Sequence, residues 1–216
     1  MRITLVYVGI GIAGFNPNRP TGDREGSWIS HGVASVGASA KEAGYDVDLI
    51  DLRQLGGWDH FTNVITRSPA DVYGLSIAPV DYATGLMTVY QIKTVLPKSK
   101  IIIGGIHPTV FPEKYNYKVI DTIVQGEGEI TFVDLLNKIE NGHELPRAIK
   151  GVKPDLDLIP WVDRELFDYQ RELDCYFIPE QNTPSITMLA GRGCPYHCNY
   201  CQPAENAVFG NPHRMR

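Results

Sequence analysis

The chain contains the segment Lys100-Ile101-Ile102-Ile103-Gly104-Gly105-Ile106-His107-Pro108-Thr109, in which a run of isoleucines stops at two glycines. An uninterrupted run of β-branched residues is typical of a strand in a parallel sheet that is covered on both faces. Glycines directly after a strand let a ligand approach the backbone closely, because they carry no side chain. The segment therefore predicts a buried strand with a ligand-binding loop at its carboxyl end.

The same order of strand, loop and helix recurs along the first part of the chain. Five segments read as buried strands: residues 2–8, 45–50, 72–77, 100–103 and 122–124. Segments with helical periodicity lie between them and after the last one. This alternation predicts an α/β fold, a doubly wound parallel five-stranded sheet of flavodoxin-like or Rossmann-like type over residues 1–145. In such sheets ligands bind beyond the carboxyl ends of the strands.

Glycine-rich loops follow several of these strands, at residues 9–14, 104–109 and 126–129. The first loop matches the dinucleotide pattern G-x-G-x-x-G, which requires a helix to start at the last glycine. Pro17 and Pro20 follow too soon for that helix. We therefore expect a loop from Gly9 to about Gly26 and no dinucleotide site.

Three of the four cysteines lie close together, in Gly191-Arg192-Gly193-Cys194-Pro195-Tyr196-His197-Cys198-Asn199-Tyr200-Cys201-Gln202-Pro203. The C-x₃-C-x₂-C spacing places three soft thiolate ligands in one loop, suited to an iron–sulfur cluster or to zinc. Because closed structural sites normally have four protein ligands, three ligands leave one position open for chemistry. The alternatives are a zinc site completed by His197 or His213, and a group of thiols without a metal. Cys175, the fourth cysteine, is expected to pack without binding metal.

Composition excludes several classes of function. Of the 216 residues, 43% are hydrophobic and 21% are charged, and the net charge is −5. These values indicate a globular protein without a nucleic-acid signal. No apolar run approaches the roughly 20 residues that span a membrane, and the N-terminus lacks a signal-peptide pattern. The cytoplasm is the expected location, and disulfides are disfavoured.

The cysteine segment resembles the hallmark of the radical S-adenosylmethionine (SAM) enzymes, including an aromatic residue, Tyr200, before the last cysteine. The resemblance implies that Cys194, Cys198 and Cys201 bind a [4Fe–4S] cluster whose fourth iron takes SAM, with Tyr200 near the adenine. It also implies cleavage of SAM to a 5′-deoxyadenosyl radical, and an electron donor such as flavodoxin or ferredoxin.

The rest of the chain resembles the cobalamin-binding domain that precedes the barrel in many radical SAM enzymes. Residues 104–109, 126–129 and 155–166 carry this resemblance. It implies a corrin ring over the strand ends and a cofactor site formed by Ser76, Gly104, Gly105, His107, Thr109, Gly126, Glu127 and Gly128. Glu127 and Glu129 are expected to bond ligand groups or, as an equal alternative, to stabilise a helix dipole.

Two departures from the family pattern matter. None of the six histidines has an aspartate two residues earlier, so the D-x-H-x-x-G motif that supplies histidine to cobalt is absent. Only the start of a barrel fits within the chain, so residues 146–184 are expected to form a connector and residues 185–216 the first strand and cluster loop of a truncated radical SAM barrel.

The resemblance implies the N-terminal part of a cobalamin-dependent radical SAM enzyme, most simply a methyltransferase that acts on an unactivated carbon through methylcobalamin. The sequence assigns no catalytic residue and does not identify the small-molecule or peptide substrate. The alternative is a non-catalytic cobalamin-binding or flavodoxin-like module with a vestigial or zinc-binding cysteine segment.

Overall fold

A parallel sheet forms the centre of the molecule. A computed structural model describes residues 1–18, 28–167, 169, 186–196, 198–200 and 214–215. Six strands pair in the order β2-β1-β3-β4-β5-β6. They are β1 (Arg2–Tyr7), β2 (Asp46–Asp51), β3 (Val72–Ser76), β4 (Lys100–Gly104), β5 (Thr122–Gln125) and β6 (Ala148–Lys150). The predicted doubly wound parallel sheet is confirmed.

Helices cover both faces of this sheet. They are α1 (Ile10–Ala13), α2 (His31–Glu42), α3 (Trp58–Arg67), α4 (Tyr82–Val95), α5 (Ile106–Val110) and α6 (Glu129–Glu140). Helices α2 and α6 pack together on one face, and α3 and α4 pack on the other. Successive residues of a strand point to opposite faces, so Leu5 joins the core under α2 and α6 while Val6 joins the core under α3 and α4.

The ends of the helices follow from local sequence. The Ser30 hydroxyl accepts a hydrogen bond from the Val33 amide (3.4 Å) and caps the start of α2. Helix α3 ends at Arg67, directly before Ser68-Pro69, where the proline disfavours helical backbone at the preceding residue. Helix α4 ends at Val95, two residues before Pro97. In the described part of the chain, no helix has the length and apolarity that crossing a membrane requires.

The strand order creates a crevice at one edge of the sheet. Strand β1 lies between β2 and β3, so the chain crosses from one side of β1 to the other after β2. Loops that leave β1 and β3 therefore diverge at the carboxyl edge, and ligands bind at such a switch point in open α/β sheets. The fold itself thus selects the edge at which a site should lie.

Three details of the prediction are wrong. The sheet has six strands rather than five, because β6 pairs with β5 in a segment that the sequence assigns to the connector. Residues 186–190 have no regular structure, and Ser185 lies outside the described residues. The strand that precedes the cysteines is instead the two-residue β7 (Gly191–Arg192), antiparallel to β8 (Arg214–Met215).

The third error concerns the first loop, where the single-turn helix α1 forms inside the G-x-G-x-x-G segment. Gly9 begins it in a left-handed conformation (φ 41°), and the Gly11 amide donates to the Asp81 carboxylate at 2.8 Å. Because Asp81 lies 70 residues later, local sequence does not reveal this support. The helix ends at Gly14, so the last glycine of the pattern ends a helix and does not begin one.

Candidate functional site at the carboxyl edge of the sheet

A cavity of about 460 Å³ opens at the carboxyl edge of the sheet, beneath α2 and α6. Its inner wall is apolar and includes Leu5, Ile102 and Phe132, each at most 4% exposed. Gly74 completes this wall, and a Cβ there would lie 2.8 Å from Leu5 Cδ2. The inner part can therefore take an apolar, flat group without offering it hydrogen bonds.

The rim of the cavity is made of strand-exit glycines, as the sequence predicts. Ser76, Gly104, Gly105, Gly126 and Gly128 all line it. Gly105 has φ 96° and Gly126 has φ 99°, a left-handed conformation that glycine alone adopts readily. A Cβ on Gly105 would lie 2.8 Å from both the Ile77 amide nitrogen and Ser76 Oγ. The loop after β4 is thus built for close packing against the loop after β3.

Thr109 supports this rim without reaching the cavity. Its hydroxyl donates to the Gly105 carbonyl at 2.7 Å and accepts from the Gly126 amide at 2.9 Å. The side chain is 7% exposed. Thr109, predicted as a cofactor-binding residue, therefore joins the two glycine loops to each other and positions them.

His107 also lies away from the cavity. Its Nδ1 is 2.7 Å from the Tyr115 hydroxyl, and its ring packs against Tyr82, Phe111 and Tyr115. Burial, followed by the nearby charge of Lys114, lowers the pKa of His107. In this structure the ring is part of an aromatic cluster and does not line the space where a cofactor would sit.

Glu127 and Glu129 have partners that the sequence analysis missed. Arg192 donates through Nη1 to Glu127 and through Nη2 to Glu129, both at 2.6 Å. Arg214 donates through Nη2 to the other Glu127 oxygen and through Nη1 to the Pro154 carbonyl. We call these four residues the Arg–Glu cluster. Each carboxylate is thus paired with a guanidinium, from Arg192 in the cysteine segment or from Arg214 in β8.

The electrostatics of the cluster favour its charged form. Burial alone would raise the pKa of Glu129, but the hydrogen bond and charge of Arg192 outweigh burial and hold it below its usual value. Burial would lower the pKa of Arg192, and Glu129 and Glu127 raise it above the ordinary value instead. The sequence offered one signal of these arginine partners, the two acidic residues in a glycine loop. Carboxylates that become buried require cations beside them.

The cysteine segment begins at this cluster. Gly193 (φ 84°) follows Arg192 and turns the chain, and both residues line the cavity. Of the cysteines that the structure describes, Cys194 is half-buried and Cys198 is exposed, and both are free thiols. The other residues that the sequence analysis considered as metal ligands lie outside the described residues: Cys201, His197, His213 and Cys175.

Within the described ranges no three metal-binding side chains converge, and this leaves the three-cysteine hypothesis untested because Cys201 is outside them. The donor set itself, three thiols in a short loop, fits an iron–sulfur cluster. Tyr200, predicted near the adenine of SAM, is 92% exposed. The apolar side chains of Trp161, Met188 and Leu189 also line the cavity and are 64–73% exposed.

The fold and site together define a class of protein: a doubly wound α/β domain with a ligand cavity at its carboxyl edge. A family model described as "B12 binding domain" matches residues 21–136. This match covers more than half of the chain, so the chain belongs to the B12-binding domain family.

Curated relatives extend the likeness beyond this domain. An "Uncharacterized methyltransferase PH0819" from Pyrococcus horikoshii is 27% identical over 83% of this chain and 41% of its own length. An "Anaerobic magnesium-protoporphyrin IX monomethyl ester cyclase" from Rubrivivax gelatinosus is 27% identical over 93% of this chain and 39% of its own length. The chain thus spans about two-fifths of the length of these relatives.

A solved structure shares the fold. The cobalamin-dependent S-adenosylmethionine radical enzyme OxsB, with aqua-cobalamin and S-adenosylmethionine bound, superposes with a TM-score of 0.64 at 17% identity. The match covers 90% of this chain and 27% of that one. The predicted B12-binding domain is confirmed by the family match, and the likeness to OxsB shows that the two chains share this fold.

Proposed function

We propose that this chain is the N-terminal portion of a cobalamin-dependent radical SAM enzyme, and that the whole enzyme is a methyltransferase acting on an unactivated carbon. One observation carries the proposal: the cysteine segment is anchored by Arg192 directly on the rim of the glycine-lined cavity. An apolar cavity and a thiolate loop thus share one edge of the sheet. One of the relatives is named a methyltransferase and the other a cyclase. These names support methyl transfer as the reaction, with ring closure as a related one.

The residues present fit cobalamin. The apolar inner wall of Leu5, Ile102 and Phe132 suits the aromatic base of the nucleotide tail. Gly104, Gly105, Gly126 and Gly128 line the rim, so a broad ring lying there would meet backbone atoms of the two glycine loops. His107 makes a hydrogen bond with the Tyr115 hydroxyl. The sequence also lacks the D-x-H-x-x-G motif, whose histidine would bind cobalt. We therefore expect cobalamin to bind without a histidine ligand from that motif.

Cys194, Cys198 and Cys201 would hold the [4Fe–4S] cluster, and Tyr200 would pack near SAM. When bound, the cluster supplies the electron for SAM cleavage and cobalamin supplies the methyl group. The contribution of this chain is to bind both groups at one sheet edge and to fix their separation. Ser76 and the amides of the glycine loops offer hydrogen bonds to the amide groups around a corrin ring.

Titration of the purified chain with methylcobalamin, followed by gel filtration, tests the first half of the proposal. We expect one equivalent to be retained. A Cβ at Gly32, which lines the cavity, meets nothing within 4 Å, so Gly32→Ala should bind like the wild type. Gly32→Trp should fold but weaken binding roughly tenfold or more, about 1.4 kcal/mol, by filling the opening. No retention by the wild type would contradict the proposal.

Anaerobic reconstitution with iron and sulfide tests the second half. We expect about four irons and four sulfides per chain, lost in each single alanine variant of Cys194, Cys198 and Cys201. Cys175→Ala is the matched control, because Cys175 lies outside the predicted ligand set, and it should retain the cluster. Tightly bound zinc without acid-labile sulfide would overturn the cluster assignment.

A further inference from the structure

The Arg–Glu cluster joins two parts of the chain that are far apart in sequence. Its ion pairs link residues 63, 65 and 87 positions apart. The side chains of Glu127 and Glu129 are 1% and 4% exposed, and those of Arg192 and Arg214 are 18% and 22% exposed. Two carboxylates balance two guanidinium groups, so the cluster is neutral as a whole.

We propose that the Arg–Glu cluster couples the cavity to the cysteine segment, so that a corrinoid bound in the cavity restricts the motion of Cys194. Its four members are positioning residues, since they act through the backbone that they hold. The inference rests on the proposed function, because it takes cobalamin as the occupant of the cavity.

On the cavity side, the turn that carries Glu127 has little freedom. The Gly126 amide donates to Thr109 Oγ1, and the backbone of Gly151 packs so tightly against Glu127 that no side chain fits there. Glu127, Gly128 and Glu129 line the cavity in succession. A ligand in the cavity therefore contacts the turn whose carboxylates hold both arginines.

On the cysteine side, both arms of the loop are tied to this turn. Arg192 and Arg214 are paired directly across β7 and β8, and the three cysteines lie in the sequence between them. Only Gly193 separates Arg192 from Cys194. A shift of the Glu127 turn is thus transmitted to Cys194 through one residue.

The chemistry of the link makes it rigid. The planar guanidinium of Arg192 bonds two different carboxylates through its two terminal nitrogens, which fixes its orientation as well as its position. A buried pair tolerates displacement poorly, because a separated charge loses its partner without regaining water. Lysine offers a single ammonium nitrogen in place of the fork, so Arg192→Lys should keep the charge and lose the orientation.

Alkylation of Cys194 by iodoacetamide, read by peptide mass spectrometry with and without saturating methylcobalamin, tests the coupling. Methylcobalamin is the probe because its cobalt already carries a carbon ligand and does not take up the thiol. In the metal-free wild type we expect methylcobalamin to slow alkylation about fivefold or more, the usual size of a coupling between sites. In Arg192→Lys and in Glu129→Gln, each measured at a methylcobalamin concentration that saturates that variant, the ratio should fall towards one.

Lys41→Gln is the matched control. The Lys41–Asp163 pair (2.6 Å) also ties the later part of the chain to the sheet domain, but neither residue lines the cavity. This variant should keep the wild-type ratio. A cluster that only stabilised the fold would speed alkylation equally with and without the ligand and leave the ratio unchanged.

The outcomes separate the two proposals. A wild type that binds methylcobalamin without slower alkylation overturns the coupling alone, as do variants that bind it and keep the wild-type ratio. A wild type that binds no methylcobalamin overturns the proposed function and the coupling together. Circular dichroism identifies a variant that fails to fold, and the ratio is then read from the other variant.

Discussion

Gly105 illustrates how a single missing side chain builds the rim of the site. Its backbone is left-handed, and the loop after β3 packs against the space where a Cβ would lie. Glycine is therefore required twice, for conformation and for volume. The sequence reveals the glycine, but only the fold reveals that Ile77 and Ser76 are what it accommodates.

Gly105→Ala should therefore lower the free energy of unfolding by about 2–5 kcal/mol, from left-handed strain plus overpacking. Gly142→Ala is the matched control. Gly142 also has a positive φ (69°), but a Cβ there meets nothing within 4 Å, so only the strain of about 1–2 kcal/mol applies. Urea unfolding of both variants measures the difference, and equal losses would contradict the packing argument.

Thr109→Val keeps the shape of the side chain and removes the hydroxyl that joins the two glycine loops. Because the Gly126 amide would be left without its acceptor, we expect a loss of about 1–3 kcal/mol in stability and weaker methylcobalamin binding. Thr94→Val is the control, since Thr94 makes the same bond to the carbonyl four residues earlier (2.8 Å) at an exposed position. Urea unfolding and methylcobalamin titration compare the two, and identical behaviour would exclude a bridging role.

At the scale of elements, apolar periodicity and the positions of glycine and proline suffice to predict most of the sheet. The five long strands and the helices between them carry apolar patterns, and glycines or prolines end them. Strand β6 could not be predicted, because its three residues, of which only Ile149 is strongly apolar, show no pattern. Residues 186–190 look like a strand but remain irregular, since no described strand pairs with them.

The same limit applies to the site. Glycine loops are local features, so the rim was predictable from residues 104–109 and 126–129. The partners of Glu127 were not, because Arg192 and Arg214 approach it only once the chain has folded back across the sheet edge. The packing of His107 was equally invisible, because the rings around it come from Tyr82 and from Phe111 and Tyr115.

Asp121 ties three elements together at the amino edge of the sheet. Its carboxylate accepts from Lys93 of α4 (2.9 Å), from Lys100 of β4 (3.1 Å) and from the Ile101 amide (2.9 Å). Burial would raise the pKa of Asp121, but these bonds outweigh it and lower the pKa. The carboxylate therefore stabilises the fold most when it is ionised.

Asp121→Asn should cost about 2 kcal/mol at neutral pH. The folded pKa lies below the unfolded value of about 4, so this contribution is complete above that value and is lost as the pH falls through the folded pKa. The stability difference between wild type and variant, followed by urea unfolding at decreasing pH, should shrink in that acidic window. Asp134→Asn, at an exposed position of α6, should show no such trend.

At the scale of the whole molecule, the segment after β6 is part of the folded unit. Asp163 donates its amide to the Ala34 carbonyl of α2 (3.2 Å), and Leu166 occupies the space above Gly37. Phe167 is 5% exposed and meets Tyr7 edge-on, with ring centroids 5.8 Å apart. The predicted connector thus packs over α2 as it leads towards the cysteines.

Phe167→Ala should lower stability by about 3–5 kcal/mol, the usual loss for a buried phenylalanine. Tyr169→Ala, two residues later at a position that is 41% exposed, should stay within about 0.5 kcal/mol of the wild type. Thermal or urea unfolding compares them. A small effect at Phe167 would mean that the segment moves independently of the sheet.

The long sequence distance across the Arg–Glu cluster has a consequence for biosynthesis. On the ribosome the sheet emerges first, with Glu127 and Glu129 still hydrated, and each arginine arrives later: Arg192 ahead of the cysteines and Arg214 after all three. The Arg214 guanidinium can pair with Glu127 only after all three cysteines have left the exit tunnel of the ribosome. Full pairing of Glu127 is thereby timed to the completion of the cysteine segment, and a nascent chain halted short of Arg214 would keep Glu127 partly hydrated.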